Sequence, residues 1–185
     1  MVVVAFTISV IALVLAIIAL PPVFQMVWGR PNVDVIFSDS KDKRNQRKYL
    51  HCQIVNLPLE NRLLQRLGVY RRPIDDVHAF FSVEDIKTHK MVVTDIMASI
   101  YTTQNAEQMI SVSLPASTIP ALINLVEARN DGYANTIAHY EAKNIQLPLG
   151  EYCAIIRVKT SEKGKEFRRN FFVGNKQEDL HWDSA

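Results

Sequence analysis

Five histidines, at 51, 78, 89, 139 and 181, and two cysteines, Cys52 and Cys153, are the residues of this 185-residue chain best suited to metal or nucleophilic chemistry. A zinc site needs three or four such ligands brought together, and two cysteines without C-x-x-C spacing cannot close one alone. His51, His78 and His139 each fall in an alternating stretch that reads as a strand, so the three could meet across a sheet. Separate surface histidines explain the same spacing. A metal-dependent hydrolase is therefore only the third reading of function, and no residue is assigned as a metal ligand. Asp75-Asp76 and Glu84-Asp85 are acidic pairs. Carboxylate catalysis needs two groups at a defined separation in a cleft. Here one pair follows a proline and the other opens a hairpin, so turn roles account for both. No G-x-S-x-G, S-x-x-K, H-E-x-x-H, phosphate-loop or dinucleotide motif occurs. No catalytic residue, cofactor or small-molecule substrate is expected.

The elements that would carry these residues are mostly short alternating runs. Val33, Val35 and Phe37 alternate in a short strand, and SDSKDKRNQR (38–47) follows as a charged loop. Lys48–Val55 is a strand with Leu50, Cys52 and Ile54 on one face and Tyr49, His51 and Gln53 on the other. Leu59–Leu67 reads as a short helix stopped by Gly68. Val77–Glu84 and Met91–Tyr101 make a hairpin, with Val77, Ala79, Phe81 and Val83 on one face. Met109–Leu114 is a further strand. STIPALINLV (117–126) suits a short helix with Ser117 or Thr118 as cap and Pro120 in its first turn, or else a strand with a proline at its start; the helix is preferred here. Asn130-Asp131-Gly132 signals a turn, and Ala134–Ala142 a strand. The strand entered at Glu151-Tyr152 and running to Lys159 carries Tyr152, Ala154, Ile156 and Val158 on one face, with Cys153, Ile155, Arg157 and Lys159 opposite. A charged hairpin and Phe167–Val173 complete the pattern. The tail 176–185 is polar apart from Leu180 and Trp182, and is expected to fray or to drape on the domain.

Residues 2–20, VVVAFTISVIALVLAIIAL, hold no charge. As a helix they would reach about 28 Å, near the ~30 Å hydrocarbon core of a bilayer. Three readings compete: a retained membrane anchor, a cleaved signal peptide, and a buried core helix. A signal peptide favours a basic start, a shorter run and a small-x-small site, which are missing. A core helix normally has a polar stripe, also missing. The anchor is therefore expected, spanning 2–20 and continuing, kinked at Pro21-Pro22, toward residue 28. Trp28 and Arg30 suit a membrane–water interface. Ala12 and Ala16 have the small-xxx-small spacing that permits close helix packing.

Residues 30–72 hold ten Lys/Arg against four Asp/Glu, whereas 73–156 hold four against ten. The basic block next to the apolar run predicts, by the positive-inside rule, an outside N-terminus and a cytoplasmic domain, with an extracytoplasmic domain as the alternative. Lys41, Lys43, Arg44, Arg47 and Lys48 are candidate contacts to anionic lipid, or simply a solvated loop. Nucleic acid is not expected as a partner, because no basic domain or known module is present.

Seven or more short alternating strands imply a mainly β fold, an antiparallel sandwich with one or two short helices behind a transmembrane helix. The sequence Pro148, Gly150, Tyr152, the alternating strand, the charged hairpin and FFVG (171–174) resembles the last two strands of immunoglobulin-like and fibronectin-type-III-like domains. Two features depart from antibody-like domains. Tyr152 and Cys153 are adjacent rather than two apart, and no Trp lies between the cysteines. An inter-sheet Cys52–Cys153 disulfide is therefore not implied. The expected organisation is an anchor (1–28), a charged juxtamembrane strand and loop (29–48), a sandwich (49–175) and a tail (176–185). The expected function is a non-enzymatic single-pass membrane protein whose sandwich binds a protein partner, self-associates or helps assemble a membrane complex. An extracytoplasmic envelope or cell-surface module is the alternative.

Overall fold

The computed structural model describes residues 2–42, 47–102, 108–115, 120–129, 133–138 and 144–183, with side-chain surroundings in the first helix limited to 8–16, 20 and 22–28. Helix α1 (Val2–Trp28) precedes two antiparallel sheets. The first sheet contains β1 (Val33–Lys41), β2 (Lys48–Asn56), β5 (Tyr101–Thr102), β7 (Ala121–Ala128), β8 (Ala134–Thr136) and β9 (Gln146–Leu147). The second contains β3 (Ile74–Asp85), β4 (Lys90–Met97), β6 (Val112–Leu114), β10 (Gly150–Lys159), β11 (Gly164–Val173) and β12 (His181–Trp182). The first runs β1-β2-β7-β8-β9 with β5 also on β7; the second runs β12-β11-β10-β3-β4 with β6 also on β3.

Period-two alternation builds the core between the sheets. Leu50, Cys52 and Ile54 from β2 and Ala121, Ile123 and Leu125 from β7 meet Val77, Ala79, Phe81 and Val83 from β3 and Tyr152, Ala154 and Ile156 from β10 in one buried cluster. Those faces of β2, β3 and β10 are the ones their patterns predict. Cys52 is in that core, Cys153 is buried on the other face of its sheet, and both are free thiols. Burial raises the pKa of each, so neither is activated as a thiolate.

The single-pass anchor is corrected. Among the described residues no helix is long and apolar enough to cross a membrane. Past Pro21-Pro22 the helix is fastened to the β domain, as set out below. The transmembrane helix in the expected fold and the single-pass localisation, with its cytoplasmic domain and outside N-terminus, fall with that anchor.

Other elements differ from their patterns for local reasons. Residues 121–128 form a strand, not the preferred helix: pairing with β2 on one side and β5 and β8 on the other buries alternate residues of β7. Pro120 lies just before the strand, where its missing N–H interrupts no ladder; Ser117 and Thr118 lie outside the described residues. The charged loop begins later than expected, because β1 continues to Lys41 opposite Lys48. The expected strand 91–101 is divided. β4 ends at Met97, and β5 pairs with β7 in the other sheet. Of the expected strand 134–142 only β8 is seen, and 139–142 lie outside the described residues.

Helix α2 (Arg62–Arg66) is shorter than 59–67. The Asn61 side chain accepts from the backbone N–H of Leu63 and Leu64, and Gly68 closes the helix at φ +76°, a conformation glycine adopts without strain. Asn61→Ala is expected to destabilise α2 by about 1 kcal/mol, read as faster amide exchange at Leu63 and Leu64.

Candidate functional site

The foot of α1 is held by side chains from the loop around α2. Phe24 packs on the buried Leu59, Leu64 and Val69 and meets Trp28 edge-on at 5.0 Å. The Gln25 side-chain amide donates to the Tyr70 carbonyl (2.6 Å) and accepts from the Tyr70 N–H (2.9 Å). At Gly29 a Cβ would clash with the Gln25 carbonyl oxygen, so the helix can end there only on glycine. The Gly29 carbonyl accepts from the Arg72 N–H, and the Arg30 carbonyl accepts from the Arg71 guanidinium. Asn56 is fully buried beneath this junction, accepting from the Asn32 N–H at 3.2 Å and donating to the Arg72 carbonyl at 2.9 Å.

Above the foot, the described side chains of α1 stand clear of the sandwich. Residues 8–16 are exposed throughout, including Ala12 and Ala16, with Ile8 62 %, Leu13 62 % and Leu15 61 % exposed. Ala12 and Ala16 are four residues apart and so share a face. Trp28 is exposed at the other end.

A cavity of about 320 Å³ opens beside the foot, between the start of β1, the start of β3 and the β10–β11 hairpin. Val33, Ile74 and Val158 give it an apolar floor, and Arg30, Arg72, Lys163 and Lys165 line it with Asp75 and Glu162. The lining cations come from three separate segments of the chain, at Arg30, at Arg72 and at Lys163 and Lys165, so no local pattern announces them. Arg72 and the hairpin SEKGKE are visible in the sequence only as loop charges.

The basic block near residue 45 is largely neutralised where it is described. Arg47 pairs with Glu127, which also accepts from Tyr49. Lys48 pairs with Asp39 at 3.0 Å. Lys41 is exposed at the end of β1, and Lys43 and Arg44 lie outside the described residues.

Among the described residues the histidines do not converge. His51 is on β2 in the first sheet and His78 on β3 in the second; His139 lies outside the described residues. Among the described residues no group of three His, Cys, Asp or Glu is placed to hold a metal. His51, expected on a solvent face, is in fact covered, its ring nitrogens meeting Ser38 Oγ at 2.8 Å and Ser40 Oγ at 3.4 Å. Burial lowers its pKa below 6.5, against a smaller opposing effect of Asp39. The folded state therefore disfavours the imidazolium, and the unfolded chain takes up more protons below pH 6.5. Stability is expected to fall as pH drops through that range, and His51→Gln to flatten the fall in urea titrations at pH 7.5 and 5.5.

His78 bridges Asp76 Oδ1 (2.9 Å) and the Ile110 carbonyl (3.0 Å), and Ser111 donates to the same carboxylate oxygen. These bonds, with the Asp76 carboxyl held below its usual range by Ser111 first and His78 second, tie the segment before β6 to β3. Asp85 accepts from the Thr88 N–H in the β3–β4 turn, the turn role its spacing suggests. Compared with known protein families, curated proteins and solved structures, the chain matches no family model, no curated protein and no solved structure.

Proposed function

We propose that this protein is a non-enzymatic assembly module, in which the sandwich displays α1 and α1 packs against the same helix of further copies. One observation carries the reading: residues 8–16 are uncharged and exposed on every side of the helix. A helix apolar all round is one that is covered all round in its working state, and an apolar surface of this extent marks an interaction site. Ala12 and Ala16 supply a face of small side chains on which a second backbone can approach closely. Sedimentation of the full chain tests this. Wild type should sediment as an oligomer, and an Ile11→Asp/Leu15→Asp variant as a folded monomer, since a carboxylate in an apolar contact is costly to desolvate. A wild-type monomer, or a wild type that enters phospholipid vesicles as a monomer, overturns the reading.

For the sandwich itself we infer the immunoglobulin-like or fibronectin-type-III-like type. In support, the first hairpin β1–β2 joins β7, while β3 joins β10 and β10 joins β11, the cross-over pairing of that architecture. The Tyr152 hydroxyl donates to the Pro148 carbonyl at 2.9 Å, as in the tyrosine corner of such domains. Tyr152→Phe is expected to cost about 1 kcal/mol, read from urea midpoints, whereas a change near zero would argue against the corner.

A further inference from the structure

The charges around the cavity at the foot of α1 do not cancel. Four cations face two carboxylates. Glu162 is engaged by Arg72 at 3.2 Å. Among the described residues Lys165 meets only neutral groups, the Val33 carbonyl at 2.7 Å, the Asn32 side-chain oxygen at 3.4 Å and the Phe167 ring at 5.8 Å. The chain immediately around Lys163 is fixed by the Thr160 side chain, which donates to the Lys163 carbonyl and accepts from the Glu162 and Lys163 N–H groups. The Arg30 backbone is likewise fixed, by Arg71. Two cationic side chains are thus presented from a rigid helix exit and a rigid hairpin turn, over a floor of Val33, Ile74 and Val158.

We propose that this cavity binds a small organic anion, with a phosphate or carboxylate group between Arg30 and Lys163 and an apolar body on the floor. The volume is within the range of small-ligand sites, which combine an apolar lining with a few convergent polar groups. Lys165, already ordered by the Val33 carbonyl, adds a third positive charge that no carboxylate among the described residues pairs. Asp75 on the rim disfavours a second anionic group there, so the ligand is a monoanion or carries its charge at one end. The site lies on the β domain and does not depend on the association of α1.

Phenyl phosphate is the probe, with benzyl alcohol as its neutral counterpart and inorganic phosphate as the anion without a body; the two aromatic compounds are followed on the full chain by ligand-observed saturation-transfer NMR, and inorganic phosphate by its competition against the phenyl phosphate signal. Phenyl phosphate should bind saturably and more tightly than either comparator. An Arg30→Gln/Lys163→Gln variant should bind it at least fivefold more weakly. A Lys87→Gln/Lys90→Gln variant, altered at the β3–β4 turn, should bind it as wild type does. Both Arg30 and Lys163 are exposed, so the thermal melt should be unchanged and a loss of binding will not reflect unfolding. Equal binding of benzyl alcohol, no saturation, or undiminished affinity in the Arg30/Lys163 variant overturns the proposal.

Discussion

Truncation after Asp179 is expected to destabilise the sandwich by about 4 kcal/mol, a large share of the 5–15 kcal/mol typical of a domain. Leu180 is 1 % exposed and belongs to the main core; losing such a side chain with its cavity costs about 2–5 kcal/mol. Trp182 lies edge-on to Phe37 at 4.9 Å and to Phe171 at 5.8 Å, and its indole N–H donates to the Ser38 carbonyl at 2.8 Å. It therefore joins β1 of one sheet to β11 of the other. The Asp183 N–H donates to the Asn170 carbonyl and extends the β12 edge. Leu180→Ala alone should account for about half the loss, measured as a shift in urea midpoint with an unchanged slope. A truncated chain as stable as wild type would mean that the tail only rests on the surface.

Asn56→Leu is expected to cost about 3 kcal/mol, although it places an apolar residue at a fully buried position. Asn56 satisfies the Asn32 N–H and the Arg72 carbonyl together, and a buried polar group left without its partner costs about 1–3 kcal/mol. The loss should be local as well as global. Asn32 and Arg72 flank the α1 exit, where Arg72 also donates to the Gly29 carbonyl. Amide exchange at Gly29, Asn32 and Arg72 should accelerate more than exchange at Ile156, deep in β10. Uniform acceleration would indicate that Asn56 serves the core generally and does not lock the helix to the sandwich.

The sheets were legible because their inner faces follow a strict period of two. The Leu50/Cys52/Ile54, Val77/Ala79/Phe81/Val83 and Tyr152/Ala154/Ile156/Val158 faces all lie buried as their spacing predicts. The pattern failed where neighbours decide. ALINLVEA carries good helix formers, yet it is a strand because β2, β5 and β8 flank it, and tertiary pairing overrides local preference. His51 alternates like a solvent-face residue but is covered by Ser38 and Ser40 of the adjacent strand, which only the β1–β2 register brings opposite it. The tail gave its own clue in Leu180 and Trp182, two apolar residues in a polar segment. The apolar run at the N-terminus was equally plain, but what it contacts is not encoded in hydropathy. Phe24 and Gln25 fasten its end through Leu64 and Tyr70, distant positions with no shared motif. The cavity was invisible for the same reason, being closed by loop charges from three parts of the chain.

The most direct test of the assembly role is a photo-cross-linking residue placed at Leu13, in the middle of the exposed stretch of α1, with one at Lys87 as reference. On irradiation of the purified full chain, Leu13 should give covalent dimers whose cross-linked peptides map to residues 8–16 of a second copy, and Lys87 should give none. Monomeric products from Leu13, or adducts only to its own sandwich or to added phospholipid, would contradict the account.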